Sequence, residues 1–202
     1  MKIVALTSIG VFAFVFLALV SYSAYAFYIK TWGITLKPGR TYEPVGVMYF
    51  LQNDDLWKHE KMGESGYTLG SSGCLISSIC SVLQFMGIST HPKDLNSAFS
   101  KNNVYNPGGE IIWMNISAVF PDITYDFSRV FGSTTIEAYL RAKQLPLVKV
   151  KYHKNGAFHW VVIVGAEENN FIIMDPLYKE KKPLNLSIHG KVYAYRILSR
   201  NL

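Results

Sequence analysis

Cys74-Leu-Ile-Ser-Ser-Ile-Cys-Ser-Val-Leu-Gln-Phe-Met-Gly87 is the stretch from which the fold is read. Apolar residues fall at 76, 79, 80, 83 and 86, the i, i+3, i+4, i+7 spacing of a buried helix face, and Gly87 is its C-terminal stop. Cys74 and Cys80 are the chain's two cysteines. Six residues along a helix separate Cα atoms by about 9 Å, beyond the ~7 Å a disulfide spans, so the two are not expected to pair. Cys80 lies within the apolar face and reads as a small buried hydrophobe. Cys74 stands at the first turn, behind the flexible loop Leu69-Gly-Ser-Ser-Gly73. Free N–H groups at a helix start stabilise an anion, so Cys74 is either a nucleophile candidate or simply a helix-start residue.

Beyond this helix, Thr90-His-Pro-Lys-Asp reads as a capped start, with Thr90 the cap, for a short helix near 91–100. A second short helix is expected over 111–119 and a strand over 123–130. Thr134-Thr-Ile-Glu137 has capping-box spacing and opens a helix to about Gln144. From Pro146 the period changes. Residues 147–152, 158–164, 171–174 and 192–197 are rich in β-branched and aromatic side chains and read as strands. Helices followed by an antiparallel sheet make an α+β domain.

Upstream, residues 3–20 are an unbroken apolar and small-residue run behind Lys2, long enough to cross a bilayer. Ser21-Tyr-Ser-Ala-Tyr-Ala26 follows, with the A-x-A pattern of a signal-peptidase site. Residues 1–26 are therefore expected to be a signal peptide or a membrane anchor, 27–44 a linker, and 45–202 the folded domain. The expected location is extracytoplasmic: secreted, periplasmic or membrane-anchored, with residues 3–20 in the membrane if uncleaved. Lys30, Lys37 and Arg40 follow the segment closely and count against an N-in orientation.

The formal net charge is +6, but the basic residues are scattered. The densest group, Lys179, Lys181 and Lys182, belongs to a loop rather than to a stripe, so the chain is not read as a nucleic-acid binder. There is no C-x-x-C and no H-E-x-x-H, and neither a metal nor a cofactor is expected.

Nucleophilic cysteine catalysis needs a thiolate, an imidazole, a group that orients the imidazole, and oxyanion donors. Cys74 supplies the first. Of five histidines, His159 begins a strong strand and precedes Trp160. His59, His91 and His189 lie in polar or turn-like surroundings and are expected to be solvated, and His153 is the reserve candidate. Asp175 ends the strand after His159's, across a tight turn, and can accept a hydrogen bond from one imidazole nitrogen; by itself it reads as an Asp-Pro turn. Gln52 precedes the cysteine by 22 residues, and its amide can join the Cys74 N–H as an oxyanion donor.

The order Gln52, Gly73-Cys74, His159-Trp160, Asp175-Pro176 resembles the papain-like cysteine peptidases of the C39-like group, relatives of the peptidase domains that process bacteriocin leaders. The resemblance spans roughly residues 45–200. It implies a papain-like fold, with the Cys74 helix packed on the C-terminal sheet and the site in the cleft between them. It also implies Cys74 as nucleophile, His159 as general base and acid, Asp175 as orienting residue, Gln52 as oxyanion donor and a peptide or protein as substrate. Leader-processing members read Asp-Cys-Gly at the nucleophile, whereas this chain reads Gly73-Cys74-Leu75. Two other readings use the same cleft: acyl transfer to an amine, and an exported binding module presenting Trp57, Trp113 and Trp160 as exposed aromatics.

Overall fold

The computed structural model describes residues 2–201, with side chains from residue 11 onward. Its centre is a six-stranded sheet in the order β1-β6-β2-β3-β4-β5. The strands are β1 (Ile123–Asp126), β2 (Leu147–Lys151), β3 (Phe158–Glu167), β4 (Asn170–Met174), β5 (Leu184–Asn185) and β6 (Val192–Arg200). Every neighbouring pair is antiparallel. The helices are α1 (Lys2–Trp32), α2 (Leu69–Ser72), α3 (Cys74–Phe85), α4 (Pro92–Lys101) and α5 (Ser133–Arg141).

Val161 to Ala166 of β3 are all buried, which is why that strand reads as an apolar run rather than an alternation. Alternate side chains of β3 serve two cores. Val162 and Val164 pack under α3 with Ile76, Ile79 and Leu83. Val161 and Ile163 face the opposite layer, with Ile29 of α1, Ile136 of α5, Phe171 and Tyr195. Burial on both faces makes β3 a fixed platform for whatever its first residues carry.

Several local expectations are corrected. The segment 111–119 is a 3-10 turn over Trp113–Ala118, not an α-helix. The strand expected over 123–130 stops at Asp126, whose carboxylate takes the N–H of Phe127 at 2.7 Å. The cap of α4 is His91 rather than Thr90, and it makes no side-chain capping bond; Pro92 does open the helix. Glu137 closes no capping box. It is buried and accepts the N–H groups of Gly39 at 2.9 Å and Arg40 at 3.1 Å, while Thr135 takes the N–H of Gly132. Those two bonds fasten residues 27–44 to the domain where a linker was expected. Leu36 is buried there, Ile34 bridges to Val192, and Tyr42 bridges to Ala166.

Among the described residues, Val11–Trp32 of α1 is long and apolar enough to cross a membrane. The helix runs through Ala24 and Ala26 without interruption, exposed along most of its length, and buries Ile29 in the second core.

Candidate active site

The position of Cys74 is set by a break in the chain's helical path. α2 is a single turn capped by Thr68, whose hydroxyl accepts the Ser71 N–H at 3.3 Å while the Ser71 hydroxyl accepts the Thr68 N–H at 3.0 Å. Gly73 folds against it, its N–H on the Leu69 carbonyl at 2.7 Å. A Cβ at 73 would lie 2.5 Å from Leu69 O and 2.8 Å from Leu69 Cα, so only glycine fits. α3 then starts at Cys74, which places its N–H in the unpaired first turn of a helix. One turn on, the Ser78 hydroxyl donates to the Trp160 carbonyl at 3.3 Å, and Ser81 donates to Met48 O at 2.6 Å. The first of these bonds registers the helix that begins at Cys74 against the strand carrying His159.

His159 is the second residue of β3, opposite Val150 of β2. Val162 pairs with Met174, so Asp175, just past the end of β4, lies on the diagonal toward His159. The contact is made: His159 Nε2 and Asp175 Oδ1 are 2.7 Å apart, with both side chains buried. Since Nε2 is engaged by Asp175, the other ring nitrogen is left for the cleft, whose wall Cys74 shares with His159. Burial works against a charged His159, but the bond to Asp175 and the neighbouring Cys74 outweigh it and raise its pKa from 6.5 to about 9. Burial likewise opposes charge on Asp175. Hydrogen bonds from His159, His189 and the Leu177 N–H overcome that and hold the carboxyl well below the usual carboxylate range.

His189 is the residue sequence reasoning missed. Expected to be solvated, it is 1% exposed, with Nε2 3.1 Å from Asp175 Oδ2. Its Nδ1 accepts the backbone N–H of His153 at 3.1 Å, so Nε2 carries the ring hydrogen and donates it to Asp175. His153 adopts φ 45°, ψ 42° to aim that N–H, followed by Lys154 at φ 74°. Two consecutive left-handed non-glycine residues are strained, and the strain sits where it holds His189. The Tyr152 ring closes the cluster, with centroids 5.4 Å from His159 and 5.6 Å from His189. The only signal in the sequence was a histidine between Ile188 and Gly190 just ahead of a strand. His153, the reserve candidate, is exposed and contributes its backbone.

Gln52 is buried and faces the cleft. Its backbone N–H binds Pro176 O at 2.9 Å, which ties it to the Asp175 turn. Its side-chain Nε2 donates to Gly70 O at 2.8 Å, which leaves a second amide hydrogen. The structure thus brings Gln52, Cys74, His159 and Asp175 together, the first three on the wall of one cleft of about 870 Å³. Trp57 does not join them as an exposed aromatic: it is buried, and its Nε1 donates to Leu51 O at 2.8 Å. Trp113 and Trp160 are half-buried, 6.4 Å apart, and line the cleft.

The same wall carries Glu110, Lys149 and Arg196. Arg196 lies over Trp113 (5.2 Å) and Phe127 (4.5 Å), with Nη1 on Tyr195 O at 2.7 Å. Lys149 is half-buried, and desolvation holds its ammonium below the ordinary lysine range. A thiol at a helix start, an imidazole, a carboxylate and two amide-type donors can together perform acyl transfer from a carbonyl to a nucleophile.

No curated protein matches the chain. The fold is similar to that in a crystal structure of a putative C39-like peptidase from Bacillus anthracis, with a TM-score of 0.53 at 12% identity over 81% of this chain and 100% of that one. This likeness is one of fold. The model of the Peptidase_C39 like family matches residues 45–197, most of the chain, and the protein therefore belongs to that family.

Proposed function

We propose that the protein is an extracytoplasmic or membrane-anchored cysteine peptidase that hydrolyses peptide bonds through an acyl-enzyme on Cys74. The observation that carries this reading is the buried His159–Asp175 pair, 2.7 Å apart, with Cys74 and His159 on the wall of one cleft large enough for a peptide.

The Cys74 thiolate attacks the peptide carbonyl carbon, and the carbonyl electron pair moves onto oxygen. The Cys74 N–H and the free Nε2 hydrogen of Gln52 receive the oxyanion. Collapse breaks the C–N bond, and the leaving amine takes the proton held by His159. The thioester is then attacked by water, whose proton passes to His159 as the C–O bond forms. The second tetrahedral species expels the Cys74 thiolate and releases the acid. Asp175 keeps Nε2 occupied and favours the imidazolium through both steps, while Pro176 and Gln52 couple its turn to the oxyanion donor.

The test uses a Cys80→Ser background, so that one thiol reports. Cys74 should be alkylated at neutral and mildly acidic pH faster than a free cysteine, and the advantage should vanish in His159→Ala. Alkylation that is ordinary and indifferent to His159 would refute the reading.

A further inference from the structure

Resting on the peptidase reading above, we infer that α1 holds the cleft open at the surface of an anionic bilayer, and that the substrate is a polypeptide segment displayed at that surface by its own membrane tether. The inference stands on the continuity between the apolar helix, the sheet and the cleft rim.

A hydrocarbon core about 30 Å thick takes roughly 20 helical residues. Val11–Trp32 meets that length, and the helix leaves the bilayer near its end, where Tyr28 and Trp32 are exposed and Lys30 stands in the last turn. Aromatic and basic residues at that level are those that seat in headgroups.

There is no slack between helix and domain. Ile29, in the last turn, is 1% exposed and belongs to the core that contains Val192 and Tyr195. Gly33 donates to Ile29 O at 2.9 Å, and the next residue, Ile34, exchanges both backbone hydrogen bonds with Val192. At Gly33 (φ +66°) a Cβ would lie 2.9 Å from Lys191 Cβ and 3.0 Å from the Tyr193 ring, so the chain presses directly on β6. The domain is thereby held against whatever surface the helix enters.

From that point the cleft is two side chains away. The Tyr193 ring meets Phe158 edge-on at 5.1 Å. Phe158 is 49% exposed, and Lys149 Nζ lies 4.3 Å over its ring. Lys151 Nζ caps both rings, at 5.9 Å from Phe158 and 5.7 Å from Tyr193. Phe158 and Lys149 line the same cleft as Cys74 and His159. Lys30, Lys149, Lys151 and Lys191 with Trp32 and Phe158 form a basic, aromatic rim suited to anionic headgroups, and Glu110 is the acidic side chain that lines the cleft with Lys149. A cleft at that height meets tethered chains at high effective concentration, and untethered ones no more often than any soluble enzyme does.

The experiment places full-length Cys80→Ser protein in vesicles of phosphatidylglycerol and phosphatidylethanolamine. Cys74 is alkylated by phospholipids bearing iodoacetamide on a short or a long ethylene-glycol spacer, with soluble iodoacetamide as reference. An effective concentration collapses when a linker cannot span the gap, so the two spacers should react within about threefold of each other if the cleft lies at the surface. A short-spacer rate about tenfold or more below the long-spacer rate overturns the inference. Lys151→Glu with Lys191→Glu should depress short-spacer labelling and leave the soluble reaction unchanged; no such depression overturns the anionic-surface assignment. So does recovery, from cells producing the chain, of a product beginning at residue 27 and free of membranes. His159→Ala slows all three reagents alike, so failure of thiol activation refutes the peptidase reading while the spacer ratio still reports on the membrane.

Discussion

His189 Nε2 lies 3.1 Å from Asp175 Oδ2, the oxygen that His159 leaves free, while Oδ1 takes both His159 at 2.7 Å and the Leu177 N–H at 2.8 Å. The carboxylate is therefore clamped from both sides inside the protein. Its orientation toward His159 comes from His189, and that of His189 comes from the backbone of His153. A chain of three polar groups, each satisfied by the next, runs from a strained turn to the cleft.

Replacing His189 by Ala leaves Asp175 Oδ2 buried without that partner and takes the acceptor from the His153 N–H. An unsatisfied buried group costs about 1–3 kcal/mol, and urea denaturation should show a loss of that size. Turnover should fall while KM stays close to wild type, because His189 does not line the cleft. His189→Gln, which retains an N–H donor, should recover part of both losses. Wild-type stability in the Ala variant would exclude the clamp.

The alkaline limit of activity should follow His159. Its pKa of about 9 keeps the imidazolium through neutral pH, so the rate should decline as pH rises past that value. Asp175→Asn removes the charge that favours the imidazolium and should shift the alkaline limb toward 6.5, the ordinary histidine value. A limb that stays in place would mean that Asp175 does not set the titration.

Stability should be bounded on both sides. For His159 the folded pKa is the higher one, so its contribution is complete below pH 6.5 and is lost as pH rises through about 9. For Asp175 the folded pKa is depressed, so its contribution is present above the ordinary carboxylate value of 3.8 and is lost as pH falls below it. Denaturation midpoints across pH should therefore be highest between these ranges, and His159→Ala should flatten the alkaline decline.

Gln52→Ala should lower turnover by about 10²–10³-fold, the usual effect of removing one oxyanion donor. Steady-state kinetics should show the loss in kcat. Retention of wild-type turnover would remove Gln52 from the oxyanion site.

Gly73→Ala tests the break ahead of Cys74. Its Cβ meets backbone atoms of Leu69 at 2.5 and 2.8 Å, which no rotamer change can relieve. Overpacking of this kind costs about 1–3 kcal/mol, and here it also displaces Cys74. Thermal denaturation should show the first effect, and alkylation rates normalised to folded protein should show the second. Alkylation unchanged in a folded variant would separate Gly73 from the positioning of the thiol.

Much of the site was legible because its residues sit at the ends of strongly periodic elements. The 76, 79, 80, 83 pattern defines α3, and its first residue is Cys74. The apolar runs define β3 and β4, and His159 and Asp175 mark the ends that a hairpin brings together. Elements with weaker periodicity were misjudged or passed over: the 3-10 turn over Trp113–Ala118 was read as a helix, and the two-residue β5 carries too few residues for a pattern.

Buried polar residues were where local reasoning failed. His189 looked solvated and Glu137 looked like a cap, yet both are buried. Whether a polar side chain can be buried depends on a partner, and theirs are far away in sequence: Asp175 and His153 for one, the Gly39 and Arg40 N–H groups for the other.

The sequence by itself determined the apolar N-terminal helix, the helix-then-sheet order and the candidate residues Gln52, Cys74, His159 and Asp175, because periodicity and element ends are local properties of a chain. Only the tertiary structure decided that His189 clamps Asp175, that residues 33–44 are laid along the sheet, and that the end of α1 abuts β6 beside the cleft. Those relations depend on which distant hydrogen-bond donors and acceptors come within about 3 Å of each other once the cores close, and no local pattern carries that information.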